Sequence, residues 1–168
     1  MRLSVYTRLD PGFALCRNLR TQVFVNEYNA PISQERDNQD YRAVHYLVRD
    51  HHNTPIGVAR SHVEGDFCKI QRFALLPPYR QTDKLEQAFR LILNDCLTRY
   101  PYMPCNVYAQ KHQEDFYKTF GFVPEGDTFL YADFVFRNMV LPYDERKAVN
   151  ENTTDASLKG FKITQYAG

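Results

Sequence analysis

Apolar residues in this chain recur with two periods, and the longer period gives the clearest element. Leu85, Ala88, Phe89, Ile92, Cys96, Leu97 and Tyr100 lie at offsets 0, 3, 4, 7, 11, 12 and 15. That spacing puts them on one face of an amphipathic helix, which Tyr100-Pro101 ends. Asp83, with Glu86 three residues on, suits its N-terminus. Phe13, Cys16, Leu19 and Val23 repeat the spacing and predict an earlier helix to about Tyr28, with Asp10 as N-cap and Pro11 in the first turn. Phe116 and Phe120 share a face of a short helix over 112–120, and Gly121 sits where a left-handed cap would go.

Alternation and β-branched content mark the strands. They are predicted over Val5–Leu9, Ala43–Arg49, Ile56–Val63, Phe67–Leu76, Pro104–Ala109 and, as one long last strand, Thr128–Leu141. On that last strand Phe129, Tyr131, Asp133, Val135 and Arg137 would share one face, and Leu130, Ala132, Phe134 and Phe136 the other. Asp133 and Arg137 would pair or line a cleft. Residues 29–42 are polar, broken by Pro31, and read as a loop carrying Glu35, Asp37 and Asp40. The order is strand, helix, three strands, helix, strand, helix, strand. It implies a mixed, mostly antiparallel sheet flanked by helices, an α+β fold of the wider α/β class. Beyond Pro142 the periodicity stops. Residues 1–142 read as one domain and 143–168 as a polar tail, loose or peripherally docked.

At 168 residues there is room for one domain with a core of its own. Charge narrows the function classes: 21 basic against 20 acidic residues leave a net charge of +1, too even for a broad nucleic-acid or membrane field. No apolar run reaches the ~18 residues that span a bilayer, and the first ten residues hold no signal-peptide core. The four cysteines lack zinc-like spacing and read as buried free thiols, so a cytoplasmic protein without metal is expected.

Three local signatures then carry a resemblance. Leu19-Arg-Thr-Gln-Val-Phe24, Glu35-Arg-Asp37 and the run from Gln110 through Phe116-Tyr117-Lys-Thr-Phe-Gly-Phe122 resemble the GNAT superfamily of N-acetyltransferases, and within it the ElaA-like subgroup. The resemblance spans roughly residues 13–141. It implies a sheet with a splayed strand pair, Phe67–Leu76 and Pro104–Ala109, that takes acetyl-CoA as co-substrate. The backbone at Phe73, Ala74 and Leu75 would bind the pantetheine arm, and the loop with Arg80, Gln81, Lys84 and Leu85 would take the pyrophosphate at a helix N-terminus. Gln110 would reach cofactor amides. Tyr117 would protonate the departing thiolate, since a phenol of pKa ~10 keeps its proton at neutral pH. Glu35 is the named candidate for the base, ahead of Asp37, Asp40 or a water held by His45 or Tyr46. His112 lines the cleft or sits on the helix surface. The acceptor would be a primary amine of a small molecule, and a homodimer is left open.

Two departures keep other readings in play. The loop Arg80-Gln-Thr-Asp-Lys-Leu85 has no glycine, although glycine allows close backbone approach to phosphate. Phe136 stands where ElaA-like relatives tend to place a His. The alternatives are a catalytically inactive binding module on the same fold and, more weakly, an acyl-homoserine-lactone synthase-like enzyme.

Overall fold

The computed structural model describes residues 1–131 and 134–143. Seven strands form a mixed, mostly antiparallel sheet in the order β1-β2-β3-β4-β5-β7-β6. They are β1 (Arg2–Tyr6), β2 (Val44–Arg49), β3 (Pro55–Glu64), β4 (Phe67–Leu75), β5 (Cys105–Gln110), β6 (Val123–Tyr131) and β7 (Phe134–Leu141). Among the described residues four α-helices accompany them: α1 (Phe13–Arg20), α2 (Ile32–Glu35), α3 (Thr82–Arg99) and α4 (Glu114–Lys118). The described chain gathers into two compact units, one of Met1–His62 with Arg72–Asp95, the other of Val63–Gln71 with the described residues from Cys96 onward.

In the first unit β1 and β2 pair antiparallel, with Leu3 opposite Val48 and Val5 opposite Tyr46. The first strand therefore lies earlier than the pattern predicted. The physical reason is Asp10, whose carboxylate accepts hydrogen bonds from the Thr7 amide and hydroxyl at 2.5 and 2.7 Å. That closes a turn over residues 7–10 and leaves Leu9 exposed. The predicted helix to Tyr28 also divides. Regular α-helix ends at Arg20, and the chain continues over Thr21–Glu27 with wider turns, the Tyr28 amide donating five residues back to the Val23 carbonyl. Cys16, Leu19 and Val23 from this segment bury against Leu47 and Val58, with Tyr6, Ala74 and Leu76 packed on the cluster. Full burial of such a side chain is worth roughly 1.5–3 kcal/mol. Residues 29–42 are not bare loop: they hold α2 and a single tight turn over Asn38–Tyr41.

The second unit contains the parallel pair, with Cys68 beside Cys105 and Lys69 beside Asn106. The predicted final strand proves to be two. β6 and β7 form a hairpin with Leu130 opposite Val135 and Tyr131 opposite Phe134. No glycine or proline stands between Thr128 and Leu141 to mark the reversal, so pattern reading runs straight through it. Phe129 and Phe136 are cross-strand partners on one face, not residues of opposite faces. Asp133 and its expected pairing lie outside the described residues, as does most of the tail. Gly121 takes φ 86, as the capping reading predicted. All four cysteines are buried free thiols.

Candidate active site

The sequence-predicted residues fall into separate sets, and each set is built by its own local logic. In the first unit, β4 runs from Arg72 through Phe73, Ala74 and Leu75. Arg72 itself has φ 56, a left-handed conformation uncommon for a residue with a side chain. Its guanidinium donates to the Gln34 carbonyl at 2.7 Å and lies 3.6 Å from Asp37, contacts that help hold the kink. The Phe73 ring packs on Phe89 of α3 at 5.2 Å between centroids. Gly57 of β3 lies opposite: a Cβ there would overlap the Leu75 side chain and come within 3.1 Å of the Ala74 carbonyl oxygen. A side chain at position 57 would therefore have to displace Leu75 and crowd Ala74.

Beyond β4, the loop turns through Pro77–Tyr79 into α3. The first intrahelical bonds run from the Lys84 and Leu85 amides to the Gln81 carbonyl, so earlier amides face out of the helix end. The Gln81 side chain folds back to donate to the Pro78 carbonyl at 3.0 Å. The Lys84 ammonium lies 5.4 Å from the Tyr79 ring centroid. Arg80 is the most constrained member. Its Nε donates to the Leu75 carbonyl at 2.8 Å, and its two terminal nitrogens donate to the two Glu27 oxygens at 2.5 and 2.6 Å. Tyr28 lies beside the same guanidinium, at 5.6 Å.

Glu35 does not lie in an accessible cleft. It is 1% exposed, and its carboxylate accepts from Arg20 Nε. The expected role as base is corrected on this geometry: a buried carboxylate already bonded to a guanidinium has no path to an arriving ammonium. Glu35 instead belongs to a buried ion network. Arg20 also donates to both oxygens of Asp40, at 2.7 and 3.2 Å, and Arg60 donates to Asp40 at 2.7 Å and to both oxygens of Asp37 at 2.6 Å. Burial alone would raise the Asp37 and Asp40 carboxyls, but bonds and charge from Arg60 and Arg20 outweigh it and hold both below the ordinary value. His45 donates through Nε2 to the Asp40 carbonyl, 3.1 Å away. Since a carbonyl only accepts, Nε2 carries the proton. Burial pushes the His45 pKa down to about 4, aided by Arg20 and Arg60.

In the second unit, Tyr117 sits on α4, 7% exposed, against Phe116 and Phe122. Burial pushes its phenol well above the ordinary value. Gln110 ends β5, where its side chain accepts from the Gln113 amide while the Gln113 side chain accepts from the Gln110 amide. That reciprocal cap uses the Gln110 carbonyl oxygen and leaves only the amide donors for any other partner. His112 is on the surface. Glu114 was not anticipated: it is buried, with Lys111 at 3.4 Å and Arg137 at 3.7 Å. Arg137 therefore faces α4. The spacing of Lys111 and Glu114 is a weak local hint; the pairing with Arg137 carries none.

A family model described as an acetyltransferase (GNAT) domain matches residues 12–142. The chain belongs to the GNAT acetyltransferases. The crystal structure of Escherichia coli ElaA is similar at 24% identity and TM-score 0.74, covering 84% of this chain and all of that one. An acyl-CoA N-acyltransferase from Pseudomonas aeruginosa is similar at 21% identity, with the same TM-score and coverage. A Bacillus subtilis protein carrying an acetyltransferase name is 26% identical over 121 residues, 67% of this chain and 77% of that protein. The expected superfamily and ElaA-like likeness hold. Among the described residues no helix is long and apolar enough to cross a membrane.

Proposed function

We propose that this GNAT protein transfers an acetyl group from acetyl-CoA to the primary amine of a small molecule. The observation that carries the reading is the cation and amide set at the start of α3: Arg80 and Lys84 beside outward-facing backbone amides. A helix N-terminus with two cations is suited to a diphosphate. The Gln81 side chain, which would crowd the approach in a loop without glycine, instead bonds back to the Pro78 carbonyl, and this supports the reading. Bound there, acetyl-CoA would supply the activated acyl group. The extended backbone of Phe73, Ala74 and Leu75 would hydrogen-bond the pantetheine arm as a neighbouring strand does.

Tyr117 holds the proton for the departing thiolate at its phenol oxygen. Its raised pKa keeps that proton in place across the neutral range. With Glu35 and Asp37 committed to arginines, the amine reacts as free base. The rate is then expected to rise with pH as the amine loses its proton, without a further limb from an acidic side chain.

Isothermal titration with acetyl-CoA, followed by thiol release against a panel of primary amines, tests the reading. Heat of binding and amine-dependent thiol release are expected. No heat and no thermal shift at millimolar acetyl-CoA would overturn it. The binding-module alternative rests on one observation, the Glu27 carboxylate already lodged in the Arg80 fork. It is favoured if the folded chain neither binds CoA measurably nor acetylates any amine.

A further inference from the structure

The Arg80 guanidinium offers five N–H donors in a planar fork that suits carboxylate and phosphate alike. Three of the five are engaged within the chain. The Leu75 carbonyl takes Nε and fixes the swivel of the group, while Glu27 takes one donor from each terminal nitrogen in a bidentate pair. Tyr28 flanks the same group. Of these contacts only the carboxylate can be exchanged for another anion without moving the backbone. Both side chains of the pair are about a third exposed or less, 33% for Glu27 and 28% for Arg80.

We propose that Glu27 is an internal competitor for the cofactor diphosphate: it occupies the phosphate-facing fork of Arg80 and must be displaced when CoA binds. The inference rests on the reading above, in which the diphosphate docks at Arg80. Glu27 closes the wide-turned segment Thr21–Glu27, so its carboxylate reaches Arg80 from a different element across 53 residues of sequence. The Arg80 bond keeps the Glu27 carboxyl below its ordinary value, so the competitor stays ionised wherever the enzyme would work. A carboxylate carries one negative charge and a diphosphate two, so the exchange favours the diphosphate and excludes weaker anions. The same exchange explains how a loop without glycines can still select its cofactor: rejection comes from the resident carboxylate, not from the shape of a glycine cradle.

The test is titration of the full chain, and of Glu27→Ala and Glu27→Gln, with CoA, with pantetheine, which lacks the diphosphate, and with inorganic pyrophosphate. An exposed ion pair has a modest worth, so removing the competitor should tighten CoA by roughly two- to fivefold. Pyrophosphate should gain similarly, pantetheine should not change, and Glu27→Gln should shift in the same direction by less. Far-UV circular dichroism confirms that each variant is folded. Unchanged or weaker CoA binding in both folded variants overturns the competitor and makes Glu27 a support for Arg80. Equal gains for pantetheine also overturn it, since the effect would not lie at the phosphates. If neither the parent chain nor any variant binds CoA at millimolar concentration, the docking reading falls and the competitor with it.

Discussion

Replacing Asp40 by Asn removes one negative charge at the centre of the buried ion network and leaves its volume unchanged. Arg20, Arg60 and Arg72 face Glu35, Asp37 and Asp40, three charges of each sign. Asp40 is bonded by both Arg20 and Arg60, and it is 5% exposed. Asparagine would present an NH₂ donor to guanidinium donors and leave one positive charge uncompensated in the interior. Breaking a buried pair in this way costs about 3–5 kcal/mol. For a chain of this size each kcal/mol lowers Tm by about 2–4 °C, so a fall of roughly 6–20 °C is expected. The chain has 12 tyrosines and no tryptophan, so urea unfolding is best followed by far-UV circular dichroism, with Asp37→Asn as the comparison. Asp37 has a side chain 30% exposed, and water can take over part of its role. A loss below about 1 kcal/mol for Asp40→Asn, or a loss no greater than that of Asp37→Asn, would refute the view that this network holds residues 31–42 in place.

Other outcomes follow from the same geometry. His45 is neutral in the folded chain, with its pKa lowered from 6.5 to about 4, so the unfolded chain binds the proton first as pH falls. Stability should hold above pH 6.5 and decline between 6.5 and 4 by about 3 kcal/mol for this group. Asp37 and Asp40 extend the loss below their ordinary value. Urea midpoints across that range check it, and His45→Gln should flatten the upper part of the slope. Gly57→Ala drives a methyl into Leu75 and should cost about 1–3 kcal/mol, read from the urea midpoint, with weaker CoA binding as a second readout. Under the proposed mechanism Tyr117→Phe should lower kcat by about 10²–10⁴-fold and leave the CoA dissociation constant unchanged; unchanged turnover would remove Tyr117 from the chemistry.

Periodicity and local turn chemistry determined much of this protein before any coordinate was known. The face of α3, the alternation of strands and helices apart from α2 and the split last strand, the cap at Gly121 and the family signature around Tyr117 all depend on neighbours within a few residues, and such neighbours are written side by side in the sequence. Where a local feature misled, the competing feature was also local but quieter. Asp10 caps a turn through Thr7 and not the helix that follows, and the β6–β7 reversal carries no glycine or proline while it flips the face of every later residue. What tertiary structure alone decided is the pairing of charges. Glu27 meets Arg80, Arg60 meets Asp37 and Asp40, and Arg137 meets Glu114, at sequence separations that no pattern scan relates. An acid on a polar segment such as 29–42 has the same sequence appearance whether it faces water or a buried guanidinium. Folding separates the two cases, because burying a charge is tolerable only against an opposite charge, and the partner is chosen by where distant elements come to rest.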